Sequence, residues 1–207
     1  MPYFDPQSCG AQCNVCPLGP DGPLRKDEWK PVGGEFHHGA DVLAIAESPG
    51  PDEVQHGRPL VGRSGTEWNN ALVFSGKRRI SVDLDNVISC KPPGQASGAW
   101  RRMEKSLDRL NKKRIKRGED PYPHPAACCR PRLLDVASRY RKIITLGKTP
   151  TSALTGQVSS IQKTRGGPMY VDDDWDWVPE NGTRKLLPTL HPAFILRAPS
   201  WRHVLHS

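Results

Sequence analysis

The sequence predicts an α/β fold of three layers, in which helices cover both faces of a central, mostly parallel sheet of four strands. Two observations support this prediction. Short apolar runs alternate along the chain with segments of helical periodicity, which is typical of parallel strands joined by crossover helices. A chain of 207 residues is also long enough for one α/β domain to bury a core without disulfide bonds.

The predicted strands are four apolar runs. The first, 41–46, ends in a turn, as a buried parallel strand does. The others are 80–85, 142–146 and 185–190, and Gly147 closes the third. Helical periodicity marks the segments that follow them. Apolar residues at spacings of three and four, with Ser64 as N-cap, predict the first helix. The predicted helices are 64–75, 132–140 and 148–154.

An inserted segment, 94–125, interrupts this order and predicts an amphipathic helix. Its apolar stripe has spacings of three or four and consists of Trp100, Met103, Leu107 and Leu110. We therefore expect a single domain over 1–207 with a basic helical insertion at about 94–125. The acidic segment 172–182 is expected to form a hairpin or a loop.

Positive charge is concentrated in the insertion. The net charge of the chain is +8, and residues 101–117 hold nine Lys and Arg against two acidic residues. Contacts between such residues and phosphates release counterions, so a concentrated basic strip favours nucleic-acid binding, with a solvated helix face as the alternative. The candidate DNA contacts on this helix are Arg101, Arg102, Lys112 and Lys113.

The six cysteines suggest a metal centre. The chain has no apolar run of the roughly 20 residues that cross a bilayer and no signal-peptide pattern, so we expect a soluble, cytoplasmic protein in which thiols stay reduced. Cys13 and Cys16 have a spacing that lets two thiolates bind one centre. Cys90 and Cys129, each beside proline, supply a second pair. By ligand count, these four thiolates suit a 4Fe–4S cluster and a structural zinc ion equally well.

Polar motifs follow three of the predicted strands. Glu47 and Ser48 come after the first strand, Asn86 after the second and His191 after the last. Ligands of parallel sheets bind beyond the carboxyl ends of the strands. We therefore expect Glu47, Asn86 and His191 to meet in one site although they are far apart in the sequence.

Together these motifs resemble the iron–sulfur, or family 4, uracil-DNA glycosylases, over the stretch from Cys13 to Arg197. The resemblance rests on Cys-x-x-Cys-x-Leu at the start, Ala-Glu-Ser-Pro-Gly at 46–50, Asp-Asn-Val-Ile-Ser-Cys at 85–90 and His-Pro-Ala-Phe-Ile-Leu-Arg at 191–197. Two positions depart from the family pattern. Ser48 replaces a Gly or Ala, and Leu60 replaces a phenylalanine that is expected to stack on the base.

The resemblance implies a monofunctional glycosylase that hydrolyses uracil, or a related modified pyrimidine, from DNA in base excision repair and leaves an abasic site. His191 would stabilise the departing base, and Asn86 would pair with its hydrogen-bonding edge. Glu47 and Ser48 would orient water or stabilise the sugar cation. The implied substrate-binding residues also include Pro49, Gly50 and Leu60.

The resemblance also implies DNA contacts and a cofactor. Ile195 and Leu196 would form the wedge that replaces the extruded base, while Arg165 and Arg197 would bind phosphates. The implied cofactor is a 4Fe–4S cluster, with structural zinc as the alternative. The implied ligands are Cys13, Cys16, Cys90 and Cys129, and Cys128 is the rival of Cys129.

A second hypothesis is a non-catalytic DNA-binding module associated with a DNA polymerase. Leu60 and Ser48 favour it, because both depart from the family pattern. The chain leaves little room for a final helix after 191–197, which suggests a domain cut from a longer protein, as in phage polymerases with a leading domain of this kind. The expected location is a bacterial or archaeal cytoplasm, or a phage-infected host.

Overall fold

A five-stranded sheet forms the centre of the computed structural model, which describes residues 4–26, 28–94, 98–156, 158, 160–171 and 184–206. The strands are β1 (Val42–Ala46), β2 (Asp83–Asn86), β3 (Lys142–Leu146), β4 (Met169–Val171) and β5 (Arg184–Thr189). Their order is β2-β1-β3-β5-β4. The first four strands in this order are parallel, as the sequence predicts, and β4 adds a short antiparallel edge.

Helices flank the sheet on both sides. In the described part of the chain they are α1 (Pro51–His56), α2 (Gly62–Phe74), α3 (Ala99–Lys116), α4 (Pro125–Ser138), α5 (Lys148–Thr155), α6 (Ile161–Thr164), α7 (Pro192–Ile195) and α8 (Arg202–His206). None of the helices that the structure describes is both long and apolar enough to cross a membrane. The predicted hairpin or loop at 172–182 lies outside the described residues.

Alternate residues of β1 show the three layers. Leu43 and Ile45 are fully buried in a cluster with the apolar faces of α3 and α4. Ala44 and Ala46 point to the opposite face, where they pack with Trp68 of α2 in a second cluster. The strand is therefore buried on both faces, as its continuous apolar sequence predicts. The predicted three-layer α/β class is confirmed.

Several element boundaries differ from those predicted. Helix α2 begins at Gly62 after the N-cap Val61, so Ser64 lies inside the helix and is not its N-cap. Strand β2 begins later than predicted, because Arg79–Ser81 forms a 3-10 helix. Helix α4 begins at Pro125, seven residues before the predicted start, because the ring of His124 accepts the Ala126 N–H and caps the helix.

The parallel register brings the carboxyl ends of the strands to one edge. Ala46 lies opposite Asn86 in the β1–β2 pair, and Leu146 lies opposite Thr189 in the β3–β5 pair. Hydrogen bonds continue the pairing beyond the strands, from Val87 N–H to the Ala46 carbonyl at 2.9 Å and from Gly147 N–H to the Thr189 carbonyl at 2.8 Å. The segments that carry the candidate site are thus held to one another by backbone contacts.

Candidate active site

A cleft of about 600 Å³ opens at the carboxyl ends of the parallel strands. It is lined by every residue that the sequence predicts to be catalytic or to bind the substrate: Glu47, Ser48, Pro49, Gly50, Leu60, Asn86 and His191. Four separate parts of the chain supply these residues. The structure therefore brings them together, as the rule for parallel sheets predicts.

Glu47 follows β1 directly and is held by the first turn of α5. Oγ1 of Thr149 donates a 2.7 Å hydrogen bond to Oε2 of Glu47. Burial raises the pKa of Glu47, the bond from Thr149 opposes this shift, and the negative charge of Glu104 adds to it. The cleft thus holds an oriented carboxylate that takes up a proton more readily than an exposed glutamate does.

Asn86 ends β2, and a buried arginine fixes its backbone. Arg132 of α4 donates from Nη1 to Oδ2 of Asp85 and from Nη2 to the carbonyl of Asn86, both at 2.6 Å. Oδ1 of Asp85 accepts the Asn86 N–H at 2.7 Å. The carboxamide of Asn86 lines the cleft and has no hydrogen-bond partner within the described ranges. Its donor and acceptor are therefore available to a ligand.

His191 caps α7, and this contact determines its tautomer. Nδ1 of His191 accepts a 3.0 Å hydrogen bond from the Ala193 N–H. Burial, followed by the positive charge of Arg197, lowers the pKa of His191 to about 4. At neutral pH the ring is uncharged, and because Nδ1 is an acceptor, the proton resides on Nε2. His191 can therefore act as a neutral hydrogen-bond donor at the cleft.

Leu60 lies in a strained and tightly held loop. Its φ is +47°, the one positive φ of a non-glycine residue in the described part of the chain. Arg79 donates to the carbonyls of Pro59 and Leu60 at 2.6 and 2.8 Å, and Glu35 pairs with Arg79 at 2.8 Å. Strain of this kind persists where the surroundings fix the backbone, often at ligand sites. The Leu60 side chain is buried, and it forms part of the cleft wall.

The predicted DNA wedge needs correction. Ile195 has no exposed surface, because it packs with Ala71, Leu190 and Leu205. Its side chain cannot reach DNA while α7 stays folded. Leu196, the next residue, is partly exposed and lines the cleft. Of the two predicted wedge residues, Leu196 alone has a suitable position.

The predicted phosphate-binding arginines occupy different environments. Arg197 is exposed and lines the cleft. Arg165 lies just after α6, with its guanidinium 4.5 Å from the centre of the Trp201 ring. A cation stacked on an aromatic ring keeps its N–H edges available. Both positions are compatible with a contact to a phosphate.

The basic side chains of α3 are exposed along its length, except for Arg114, which is partly buried. Arg101 and Arg102 belong to the first turn, beside residues 98–100, which line the cleft. Lys112 and Lys113 lie 11 residues further along the helix, or about 16 Å along its axis at 1.5 Å per residue. Met103 and Leu107 bury the opposite face. The helix thus presents a basic strip that begins at the cleft.

The cysteines gather at the amino-terminal end of α4. Cys13, Cys16, Cys128 and Cys129 are buried, Cys90 is partly buried, Cys9 is exposed, and all six are free thiols. Burial raises the pKa of Cys13 to about 12, and the nearby thiols of Cys129 and Cys16 add to this shift. The pKa of Cys90 is raised by the same causes in the same order. These influences show that the four predicted ligands are neighbours.

The rival ligand Cys128 lies in the same group. A hydrogen bond between Cys16 and Cys128 raises the pKa of Cys16 and lowers that of Cys128. In the described segments, no three His, Cys, Asp or Glu side chains are arranged to hold a single metal ion. Near the thiols, the buried Nε1 of Trp29 and Oγ of Ser89 have no hydrogen-bond partner within the described ranges, and the Trp29 N–H lies close enough to Cys90 to oppose the rise in the pKa of that thiol. Such donors suit sulfur acceptors.

Three site residues were missed by the sequence analysis. Thr149 follows β3 at a carboxyl end, so the rule that predicts Glu47 also points to it. Trp100 was assigned to the apolar stripe of α3, but it lines the cleft. Nothing in the sequence signals Arg132, because a buried ion pair cannot be distinguished from surface charge in a chain with 30 Lys and Arg.

Comparisons with known proteins match most of the chain. The family model described as the uracil DNA glycosylase superfamily matches residues 34–205. Three relatives carry the name type-4 uracil-DNA glycosylase. The one from Thermotoga maritima is 30% identical over 90% of this chain and 79% of its own length. Those from Sulfurisphaera tokodaii and Archaeoglobus fulgidus are 28% and 26% identical, over 84% and 89% of this chain and 69% and 81% of their own lengths.

Proposed function

The chain belongs to the uracil DNA glycosylase superfamily, and from this premise we propose that it is a uracil-DNA glycosylase. It hydrolyses the N-glycosidic bond of uracil, or of a related modified pyrimidine, and leaves an abasic site for base excision repair. The main observation in support of this function is that Glu47, Asn86 and His191 line one cleft at the carboxyl ends of the parallel strands.

His191 stabilises the leaving group in this proposal. Cleavage between the sugar and the base leaves negative charge on uracil, and a donor aimed at a pyrimidine oxygen lowers the energy of that anion. Nδ1 of His191 is occupied by the Ala193 N–H, so Nε2–H is the group that donates. A neutral donor suits this task because no proton has to be transferred to the departing base.

Asn86 reads the base. A uracil in the cleft presents a carbonyl acceptor beside an N–H donor, and a carboxamide can pair with both at once. Cytosine presents the reversed pattern and leaves the amide unpaired. Because Arg132 and Asp85 fix the backbone of Asn86, the point from which its carboxamide extends into the cleft is defined before the base arrives.

Glu47 acts on the sugar side of the bond. Its carboxylate, oriented by Thr149, can hold the attacking water or stabilise the positive charge that develops on the sugar. Ser48 lies beside it in the cleft and adds a hydroxyl that can position the same water. Pro49, Gly50 and Leu60 form the wall against which the base and sugar rest.

DNA binds across the cleft mouth. Leu196 fills the space of the extruded base, and Arg197 and Arg165 contact phosphates. Arg101, Arg102, Lys112 and Lys113 extend the basic surface along α3 and contact the flanking DNA. Phosphate contacts of this kind make binding salt-dependent.

Alkali cleavage of labelled oligonucleotides with one uracil tests the assignment of roles. Wild type should produce strand breaks at the uracil position and none at cytosine or thymine in the same position. Glu47→Gln and His191→Ala should lose most of the cleavage, and Asn86→Ala should lose discrimination against cytosine as well as rate. Full activity in both Glu47→Gln and His191→Ala would refute this assignment of the catalytic residues.

We further propose that the cysteines bind a 4Fe–4S cluster. The ligands are Cys13, Cys16, Cys90 and Cys129, with Cys128 as the rival of Cys129. Each thiolate of such a cluster binds a different iron, so the sulfurs need not approach as closely as the ligands of one zinc ion do. Free, neighbouring, buried thiols with N–H and O–H donors beside them fit this group. When bound, the cluster joins the amino-terminal loop to α4 and to the segment after Asn86.

Iron and sulfide analysis of anaerobically purified protein tests the cofactor. We expect four irons and four sulfides per chain and little zinc. One zinc per chain without iron would contradict the assignment of a 4Fe–4S cluster. A matched pair of variants identifies the fourth ligand: Cys129→Ser should lose iron, whereas Cys128→Ser should retain it. The partnership with a polymerase and the cytoplasmic location stay predictions.

A further inference from the structure

Trp100, at the start of α3, presents an aromatic ring to the cleft. It is partly buried and lines the cleft together with Lys91 and Pro92, which follow Asn86 in the chain. The catalytic and base-reading groups described above leave this ring without a role. Its sequence position, in the basic insertion, gives no reason for an aromatic residue at the cleft.

Two contacts fix the orientation of the ring. The indole Nε1–H donates a 2.9 Å hydrogen bond to Oε1 of Glu104, one helical turn along α3. The ring of His124 packs against it with 5.6 Å between centroids and 52° between planes. His124 is itself fixed, because its Nδ1 accepts the Ala126 N–H at the start of α4. Trp100 is therefore held between two helices before any ligand binds.

The hydrogen-bond partner of the ring lies near the proposed catalytic carboxylate. Glu104, which holds the indole N–H, is near enough to Glu47 to raise the pKa of that carboxyl. Trp100 also packs against the large core cluster, of which Val87 and Ile88, the two residues after Asn86, are members. Trp100 therefore lines the same cleft as Asn86, which we propose reads the base, and Glu47, the proposed catalytic carboxylate.

The other apolar residues of the cleft do not offer the same surface. Leu60 has no π face, and its side chain belongs to the core. Phe194 comes from α7 and packs edge to face against Trp201 at 6.3 Å. Extruded bases are bound by pairing at their edges and by stacking on aromatic faces. Of the Trp, Tyr and Phe rings in the described part of the chain, Trp100 and Phe194 line the cleft, and Phe194 already packs against Trp201.

We propose that Trp100 is a substrate-binding residue that stacks on the face of the extruded pyrimidine while Asn86 pairs with its edge. This inference rests on the proposed glycosylase function. In it, the basic insertion contributes to the base pocket as well as to the DNA surface. Stacking acts on every flat base, so Trp100 supplies affinity and Asn86 selects among the bases that fit.

Two substitutions separate stacking from packing. Trp100→Phe keeps an aromatic face, and Trp100→Leu keeps apolar bulk without one. We expect Trp100→Leu to weaken the binding of free uracil about 5- to 150-fold and to raise KM more than it lowers kcat. Trp100→Phe should bind within a few-fold of wild type. Ile115→Ala, an exposed change near the far end of α3, is the control and should bind uracil as wild type does.

Tryptophan fluorescence supplies a readout that does not require turnover. Free uracil should quench the emission of wild type, and the quenching should be lost in Trp100→Phe. This measurement decides the question if Trp100→Leu fails to fold. Quenching that persists in Trp100→Phe, or equal losses of uracil affinity in the Phe and Leu variants, would overturn the proposal. Wild-type protein that neither binds nor releases uracil would instead overturn the proposed function itself.

Discussion

Arg132 donates a 2.6 Å hydrogen bond to the main-chain carbonyl of Asn86. Both residues are buried, and the same guanidinium pairs with Asp85 at 2.6 Å. Arg132 belongs to α4, the helix that also carries Cys128 and Cys129. The helix that carries two of the cysteines therefore also holds the backbone of the residue that we propose reads the base.

Replacing Arg132 with methionine should destabilise the protein by about 3–5 kcal/mol, because Asp85 would remain buried without its partner. The measurement is the free energy of unfolding from urea titration. Arg139→Met, at the residue directly after the same helix, is the control. Its ion pair with Asp135 is exposed, so we expect a loss below about 1 kcal/mol. Equal losses in the two variants would contradict this role of Arg132.

Thr149→Val removes the hydrogen bond to Glu47 while keeping the shape of the side chain. We expect kcat/KM to fall at least about tenfold, because a bond to a charged group contributes about 1.5–3 kcal/mol. Thr149 also lowers the pKa of Glu47, so the loss should be larger at mildly acidic than at mildly alkaline pH. Thr164→Val, whose hydroxyl bonds the Ser160 carbonyl, is the control. A loss that does not vary with pH would argue against an effect on Glu47.

Glu47→Gln should stabilise the protein at neutral pH while removing activity. The pKa of Glu47 is raised in the folded state, so ionisation of this residue costs stability as pH rises through the folded-state pKa. Glutamine has no charge to desolvate. The melting temperature of the variant should exceed that of wild type at neutral pH, and the difference should shrink toward pH 4.5 and below. A variant that melts lower than wild type across this range would contradict the prediction.

Leu196→Ala and Ile195→Ala should have opposite consequences. Leu196→Ala should reduce activity on double-stranded DNA more than on single-stranded DNA, because a wedge is needed only where a base leaves a stack. Its stability should change little. Ile195→Ala should lose about 2–5 kcal/mol of stability, since it opens a cavity in the cluster with Leu190 and Leu205. Equal activity of Leu196→Ala and wild type on both substrates would refute the wedge role.

The sequence predicts the parts of the site that depend on topology. Glu47, Asn86 and His191 follow apolar runs, and the carboxyl ends of parallel strands converge whatever the loops between them. For this reason the sequence alone predicts that these three residues line one cleft. The edge strand β4 was not predicted, because its three residues owe their conformation to pairing with β5.

Other features depend on tertiary packing that no local pattern reports. Ile195 and Leu196 are adjacent apolar residues, and only the docking of α7 decides that the first is buried. In the sequence, Arg132 cannot be distinguished from the other basic residues, and only its contacts with Asp85 and Asn86 show that it is buried and paired. The start of α4 was predictable in part, since proline is favoured at the first position of a helix, where Pro125 lies, whereas the cap by His124 is not a common one.

The most direct measurement is the amount of free base released when the protein meets an excess of uracil-containing DNA. A glycosylase that uses Glu47, Asn86 and His191 should release many equivalents of uracil per protein from wild type. It should release none from matched cytosine or thymine DNA, and His191→Ala should be strongly impaired. Tight binding of the uracil DNA without release of free base by wild type would contradict the glycosylase function.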